Sequence, residues 1–170
     1  MNKQEQTAQI AYKAYINIDF NNKIKSNSLK YDFPSDEIMK KMDKKENLKI
    51  LKELGYEFKV FTPGQYYNYE EVFGNIKLVL SCQIGGGIIT EYIYVYIDNE
   101  KIDVNLLRSN LAFVYRYLLN NSDAEISACT FRNFDDFRDA MGDIIGIYED
   151  FKKEFLKLME ENNLLKNDLN

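Results

Sequence analysis

Glu91-Tyr92-Ile93-Tyr94-Val95-Tyr96-Ile97-Asp98 alternates tyrosine with isoleucine or valine and is closed at each end by a carboxylate. Successive side chains of a strand point to opposite faces, so this segment reads as a strand with a tyrosine face and an aliphatic face. The aliphatic face requires a dry core. The tyrosine face either packs beneath a helix or meets a partner.

The flanking sequence extends this strand into a meander. Ile76 to Gln83 reads as a strand, Gly85-Gly86-Gly87 turns the chain, and Ile88 to Ile97 is the long strand that follows. Asp98-Asn99-Glu100 makes a tight turn into Lys101-Ile102-Asp103-Val104. Upstream, Tyr56 to Phe61 is a first strand ended by Pro63-Gly64, and a loop rich in aromatics follows, with Tyr66, Tyr67, Tyr69 and Phe73. Consecutive strands on short links favour antiparallel pairing.

Helical periodicity brackets the meander. Residues 4–26 carry Ile10, Ala11, Ala14, Tyr15 and Ile18 at helical spacing, although Ile16 to Phe20 also alternates like a strand. Asn21-Asn22 and Ser26-Asn27-Ser28 mark a loop. Ser35 caps a second helix whose stripe is Ile38, Met42, Leu48, Leu51 and Leu54, with Gly55 at its C-terminal end. A helix is expected over 105–120 and a last strand over 125–131. Asn133 caps the longest helix, with Asp135 and Asp136 in its first turn, where the helix dipole favours negative charge. The fold class is therefore α+β: an antiparallel meander of four to five strands packed against several helices, the last one long. Residues 1–170 form one domain, with 163–170 fraying at the end.

Composition narrows the chemistry. The chain has 170 residues, a net charge of −5 and no histidine. Zincin motifs, Ser-His-Asp triads and imidazole acid–base catalysis are therefore unavailable. Cys82 and Cys129 have no CxxC partner and read as buried thiols. No apolar run approaches the roughly 18 residues a membrane span needs. The polar N-terminus lacks the pattern of a signal peptide, so the expected location is cytoplasmic. Residues 1–54 hold 11 lysines against 8 acids, and the rest of the chain is acidic. Such a balance argues against nucleic acid as the partner. No cofactor or metal site is expected: Gly85-Gly86-Gly87 lacks a phosphate-loop context, and Asp98, Glu100 and Asp103 lack the ligand density of a calcium loop.

Two segments are candidates for binding. In the last helix, Phe134, Phe137, Met141, Ile144, Tyr148, Phe151, Phe155 and Leu158 keep an unbroken 3–4 register. This seam packs across the sheet or, in the alternative, pairs with a second copy as a homodimer. The opposite side aligns Asp136, Asp139, Asp143, Asp150 and Glu154, with Gly142 and Gly146 beside them. Like charges at i,i+4 and glycines in a helix interior both cost stability. A docking site for a basic partner explains them, and so does a plain solvated face. The second candidate is the loop with Tyr66, Tyr67 and Tyr69, because tyrosine buries large area at low entropic cost.

A small, acidic, histidine-poor α+β chain with a meander around Ile76–Val104 and an acidic helix around Asn133–Glu154 resembles the immunity proteins that neutralise bacterial polymorphic toxins. That resemblance implies a non-enzymatic protein-binding inhibitor that blocks a toxin's active site through acidic residues facing a basic cleft. A phage-encoded inhibitor of a host defence protein would share these features. A small-molecule-binding or carboxylate-based enzyme domain is the alternative of a different class, and it requires a concave pocket with convergent polar groups.

Overall fold

The computed structural model describes residues 2–61 and 65–166. Among them, six helices and six strands form an α+β fold in the order α1 (Lys3–Asn17), α2 (Phe20–Lys30), α3 (Lys44–Glu53), β1 (Lys59–Phe61), β2 (Tyr66–Phe73), β3 (Ile76–Gly85), β4 (Ile88–Ile97), β5 (Glu100–Lys101), α4 (Asn105–Arg108), α5 (Leu111–Leu118), β6 (Cys129–Thr130) and α6 (Phe134–Glu161). All strand pairings are antiparallel. The sheet runs β1-β2-β3-β4-β5, and β6 pairs with the other end of the β4 edge that β5 occupies.

Tight turns set the register. Gly85 pairs with Ile88 across Gly86-Gly87, whose φ angles are +57° and +77°. Ile97 pairs with Glu100 across Asp98-Asn99, both also at positive φ. Positive φ at both central residues is the type I′ geometry, whose twist matches that of paired strands. Gly87 carries a second constraint. A Cβ placed there would lie 2.1 Å from Ile38 Cγ2 and 2.7 Å from the Met39 carbonyl oxygen. The 38–39 segment thus crosses directly over the β3–β4 turn.

This crossing explains one difference from expectation. The second helix does not begin at Ser35. The Met39 amide donates to the Phe131 carbonyl at 3.0 Å, which fixes that stretch against β6 in a non-helical path. Helix α3 starts only at Lys44, and its cap is Asp43, whose carboxylate accepts from the Lys45 amide at 2.8 Å. Three further boundaries move for local reasons. The helix expected over 4–26 divides, because Asp19 takes a left-handed conformation (φ 56°) that Asp tolerates better than most residues. The Asn21-Asn22 pair and the Ser26-Asn27-Ser28 triplet, both expected as loop, lie inside α2. The helix expected over 105–120 divides where Asn110 caps α5, accepting from the Phe113 amide at 2.9 Å. The last strand shrinks to Cys129–Thr130, whereas Pro63 and Gly64 lie outside the described residues.

The aromatic stretch after Gln65 is a correction of kind. It is not a loop: Tyr66–Phe73 forms β2, paired with β3 from Tyr66↔Gln83 to Phe73↔Ile76. Asn68, Glu70 and Glu71 blurred its alternation, but its aromatics favour a pleated surface once a partner strand is present.

The core lies on one face of the sheet. Leu78, Leu80, Cys82 and Ile84 of β3 and Ile89, Ile93, Val95 and Ile97 of β4 are buried there. Helix α6 lays the seam Phe137, Met141, Ile144, Tyr148, Phe151, Phe155 and Leu158 into this core, and all seven are buried. Helices α1, α2 and α3 pack around α6, with Tyr15 of α1 set 4.5 Å, centroid to centroid, from Phe151. After α6, the Asn75 amide side chain donates to the Leu164 carbonyl, and Leu164 and Leu165 pack against the core. Residues 164–165 are therefore held down rather than frayed.

Gly87→Ala is expected to destabilise the fold by more than about 2 kcal/mol, from the positive φ and the collision with Met39 backbone. Gly142→Ala, in a helix with open space around the new Cβ, should stabilise by up to about 1 kcal/mol. Urea unfolding of the two variants checks both signs.

Candidate functional site

The acidic side of α6 is largely engaged within the chain. Asn133 accepts from the Asp136 amide at 2.9 Å, and the Arg132 guanidinium donates to both carboxylate oxygens of Asp136, at 2.8 and 3.3 Å. Asp143 accepts from Lys30 Nζ at 2.8 Å and from the Tyr31 hydroxyl at 2.6 Å. Burial, then the Asp143 carboxylate, holds the Tyr31 hydroxyl up at about 12. Asp150 pairs with Lys23, and Glu154 accepts from the Asn17 amide at 2.7 Å. Asp139 alone of the five has no such partner among the described residues. Four of the five carboxylates therefore dock α1, α2 and the 132–133 cap onto α6. Gly142 and Gly146 face open space in a shallow groove between α2 and α6, flanked by Lys23, Lys30, Asp143 and Asp150. That groove carries both signs of charge.

The three tyrosines at 66–69 divide because they sit on a strand. Tyr67 points into the core, where its hydroxyl accepts from Asn47 Nδ2 at 3.2 Å. Tyr69 packs edge-on against Tyr56 and Tyr148, at centroid distances of 4.9 and 6.2 Å. Tyr66 faces the other way, onto the outer face of the sheet.

That outer face holds the tyrosines of the opening sequence. Cross-strand pairing arranges it in rows: Val72, Lys77, Tyr96 and Lys101; then Glu70, Val79 and Tyr94; then Lys59, Asn68, Ser81 and Tyr92; then Phe61, Tyr66, Gln83 and Thr90. The helices and the continuous core occupy the opposite side. Val79 is 2% exposed yet stands outside that core, roofed by its neighbours on the outer face. Phe61 is 50% exposed and Val72 is 68% exposed. Tyr92 and Tyr94 stack at 5.7 Å, Lys101 Nζ lies 3.7 Å above the Tyr94 ring, and Lys77 Nζ lies 4.3 Å above the Tyr96 ring. Lys59, Lys77 and Lys101 have no ion-pair partner among the described residues. Three lysines against Glu70 make this face locally positive on a chain of net charge −5. Of the tyrosine face's two expected fates, cover by a helix does not occur among the described residues.

One further residue has unusual chemistry. Glu91 shares the parity of Ile93, Val95 and Ile97, so its carboxyl enters the core side, and the residue is 8% exposed. Its hydrogen bond comes from its own backbone amide, and burial raises its pKa to about 7. Cys82 lies directly opposite on β3, and Cys129 lies beside it on β6. Their backbones lie on either side of β4 and two residues out of register, so their Cα atoms are more than about 10 Å apart, beyond disulfide reach. Both are free, and burial pushes their pKa values up, which suppresses thiolate reactivity. The signal for Glu91 was present in the sequence as a carboxylate in register with the aliphatic residues of its own strand.

Two of the three acids in the small cluster after β4 are also paired, Asp98 with Lys3 and Lys166 and Asp103 with Arg108. No helix among the described residues is long and apolar enough to cross a membrane. Comparison with family models, with curated proteins and with solved structures returned no match.

Two predictions follow from these partners. Asp143→Ala removes two hydrogen bonds and should cost about 1–2 kcal/mol, whereas Asp139→Ala should stay within about 0.5 kcal/mol of the wild type. Chemical denaturation of both variants decides whether the stripe is an internal clamp. Glu91 binds its proton more tightly folded than unfolded, so its contribution is full below about pH 4.5 and is lost as pH rises through about 7. Glu91→Gln should remove that loss, on the order of 3 kcal/mol between pH 5 and pH 8.5. Unfolding free energies at the two pH values measure it.

Proposed function

We propose that this protein is a non-enzymatic binder that inhibits another protein, as a toxin-neutralising immunity protein does, and that it docks through the outer face of its sheet. The observation that supports this reading is the surface formed by half-buried Tyr66, Tyr92, Tyr94 and Tyr96 with exposed Phe61 and Val72, interleaved with three lysines that have no ion-pair partner among the described residues. Rigid aromatics on a strand scaffold give contact area at low entropic cost, and unpaired charges steer a complementary partner.

The charge on this face favours an acidic protein surface as the partner. The basic toxin domain expected from the sequence relied on a free acidic stripe, and that stripe now has mostly internal partners. A single-stranded nucleic acid suits the face less well. Base stacking needs bare ring faces, and here lysine ammonium groups and a neighbouring ring already lie over Tyr94 and Tyr96. Face-to-face pairing of two copies would bring the lysines of both together.

The test compares three forms of the full chain as bait in source cells. A protein retained by the wild type should be lost with Lys77→Glu/Lys101→Glu and kept with Asp139→Lys. With that protein purified, the double substitution should weaken binding by about tenfold or more, and wild-type affinity should fall with added salt. Retention by the sheet variant with loss by Asp139→Lys would refute docking through the sheet and return the site to α6. Tight binding of a labelled oligonucleotide, or a wild-type dimer abolished by the same double substitution, would refute the proposed partner.

A further inference from the structure

Beside Glu91 the sheet edge is incomplete. Strand β6 pairs with Ile88 and Ile89 of β4, and Asn110 bridges to Tyr92, so Thr90 and Glu91 between them have no strand partner on that edge among the described residues. The gap opens into a cavity of about 160 Å³ between β4, helix α2, the start of α5 and residues 126–129. This is far above the roughly 10–15 Å³ that admits one water. Its walls combine the apolar side chains of Ile24, Ile89 and Ile126 with Glu91, Asn27 and Ser28.

The polar groups there are incompletely used. The Glu91 carboxyl is buried and accepts from no other residue among those described. Asn27 Nδ2 is buried with no partner among the described residues. Ser28 Oγ accepts from the Ser127 amide at 2.8 Å, which leaves its own proton to donate. Buried polar groups without partners cost free energy, and a carboxylate with no cation beside it costs most. One acceptor of negative charge and two donors thus line one partly open space with both polar and apolar walls.

We infer that this cavity binds a small primary amine carrying an acceptor oxygen, an amino alcohol in its simplest form. The ammonium group sits on the Glu91 carboxylate, and the oxygen accepts from Asn27 Nδ2 and the Ser28 hydroxyl. The isoleucines enclose the short carbon chain. The site is on the helix-covered side of the sheet, away from the tyrosine face, and is independent of the docking proposed there.

Binding an ammonium ion requires Glu91 to be ionised, so it is coupled to proton release. The groups that face Glu91 are the Cys82 thiol of β3 and the Cys129 thiol of β6, with Asn27 and Ser28 of α2 and Asn110 before α5, none of them charged near neutrality. Lys30 and Asp143 act on Cys129 from further out, as a pair. The proton released therefore comes from Glu91.

Calorimetric titration of the full chain with ethanolamine tests the site. Wild type should bind with release of close to one proton at pH 6 and markedly less at pH 8.5, read from the dependence of heat on buffer. Glu91→Gln should weaken binding by about tenfold or more, and Asn27→Leu by several-fold. Glu91→Gln removes a buried ionisable group and should fold at least as stably as the wild type. Equal binding by Glu91→Gln, equal binding of acetamide or of tetramethylammonium, or no binding at millimolar ethanolamine would overturn the inference.

Discussion

The contact between the aliphatic face of β3–β4 and the apolar seam of α6 is the constraint on which the rest of this fold depends. Leu78, Leu80, Ile93, Val95 and Ile97 present one dry surface, and Phe137, Met141, Ile144, Tyr148, Phe151 and Phe155 cover it. Large buried side chains of this kind carry roughly 3–5 kcal/mol each when truncated, more than any surface pair in the chain can supply. The periodicities match: period two on the strands and 3.6 on the helix put every large apolar residue on the shared interface. Once α6 is fixed, its other sides become the ground on which α1, α2 and α3 settle.

Those outer helices are attached by a different chemistry. Tyr15, Phe20 and Phe151 give an aromatic contact at the centre. Around it, Asp143 holds Lys30 and Tyr31, Asp150 holds Lys23, and Glu154 holds Asn17. These half-exposed pairs fix orientation more than they add stability. They also give the like-charged carboxylates of α6 a structural reason, because each repulsion along the helix is relieved by a cation or amide from a neighbouring element. A stripe that looks costly on an isolated helix becomes a set of sockets in the assembled one.

With the acidic face engaged internally, the chemistry left unmatched lies on β4 and around it. One side of this strand carries tyrosines with lysines above their rings and no helix over them. The other side carries Glu91, a carboxylate in a row of isoleucines and valine with an opening beside it. The same eight residues therefore supply both a surface suited to another macromolecule and an acid suited to a small cation. Neither is matched by a partner among the described residues, which is what separates these two features from the paired acids of α6 and from Asp98.

Residue order alone specifies the elements whose signals are local. The alternation of 91–98, the glycines at 85–87, the Asp98-Asn99 turn and the capped, unbroken register of α6 all follow from residue geometry over a few positions, and each was legible. Where the signal was weak the boundaries moved: the alternation of Ile16–Phe20 and the Asn21-Asn22 pair hinted at a break without placing it at Asp19, and Asp43 was hidden as a cap because the pull of Phe131 on Met39 comes from far along the chain. Tyr66–Phe73 became a strand only because β3 lay beside it. The candidate site followed the same division. The tyrosine and acidic faces could be drawn from periodicity, and so could the place of Glu91 among the aliphatics. Which face would be covered, which carboxylates would find lysines, and where a cavity would remain are long-range outcomes. They depend on how separate elements pack against one another, and no local spacing encodes that; they emerge only from the assembled fold.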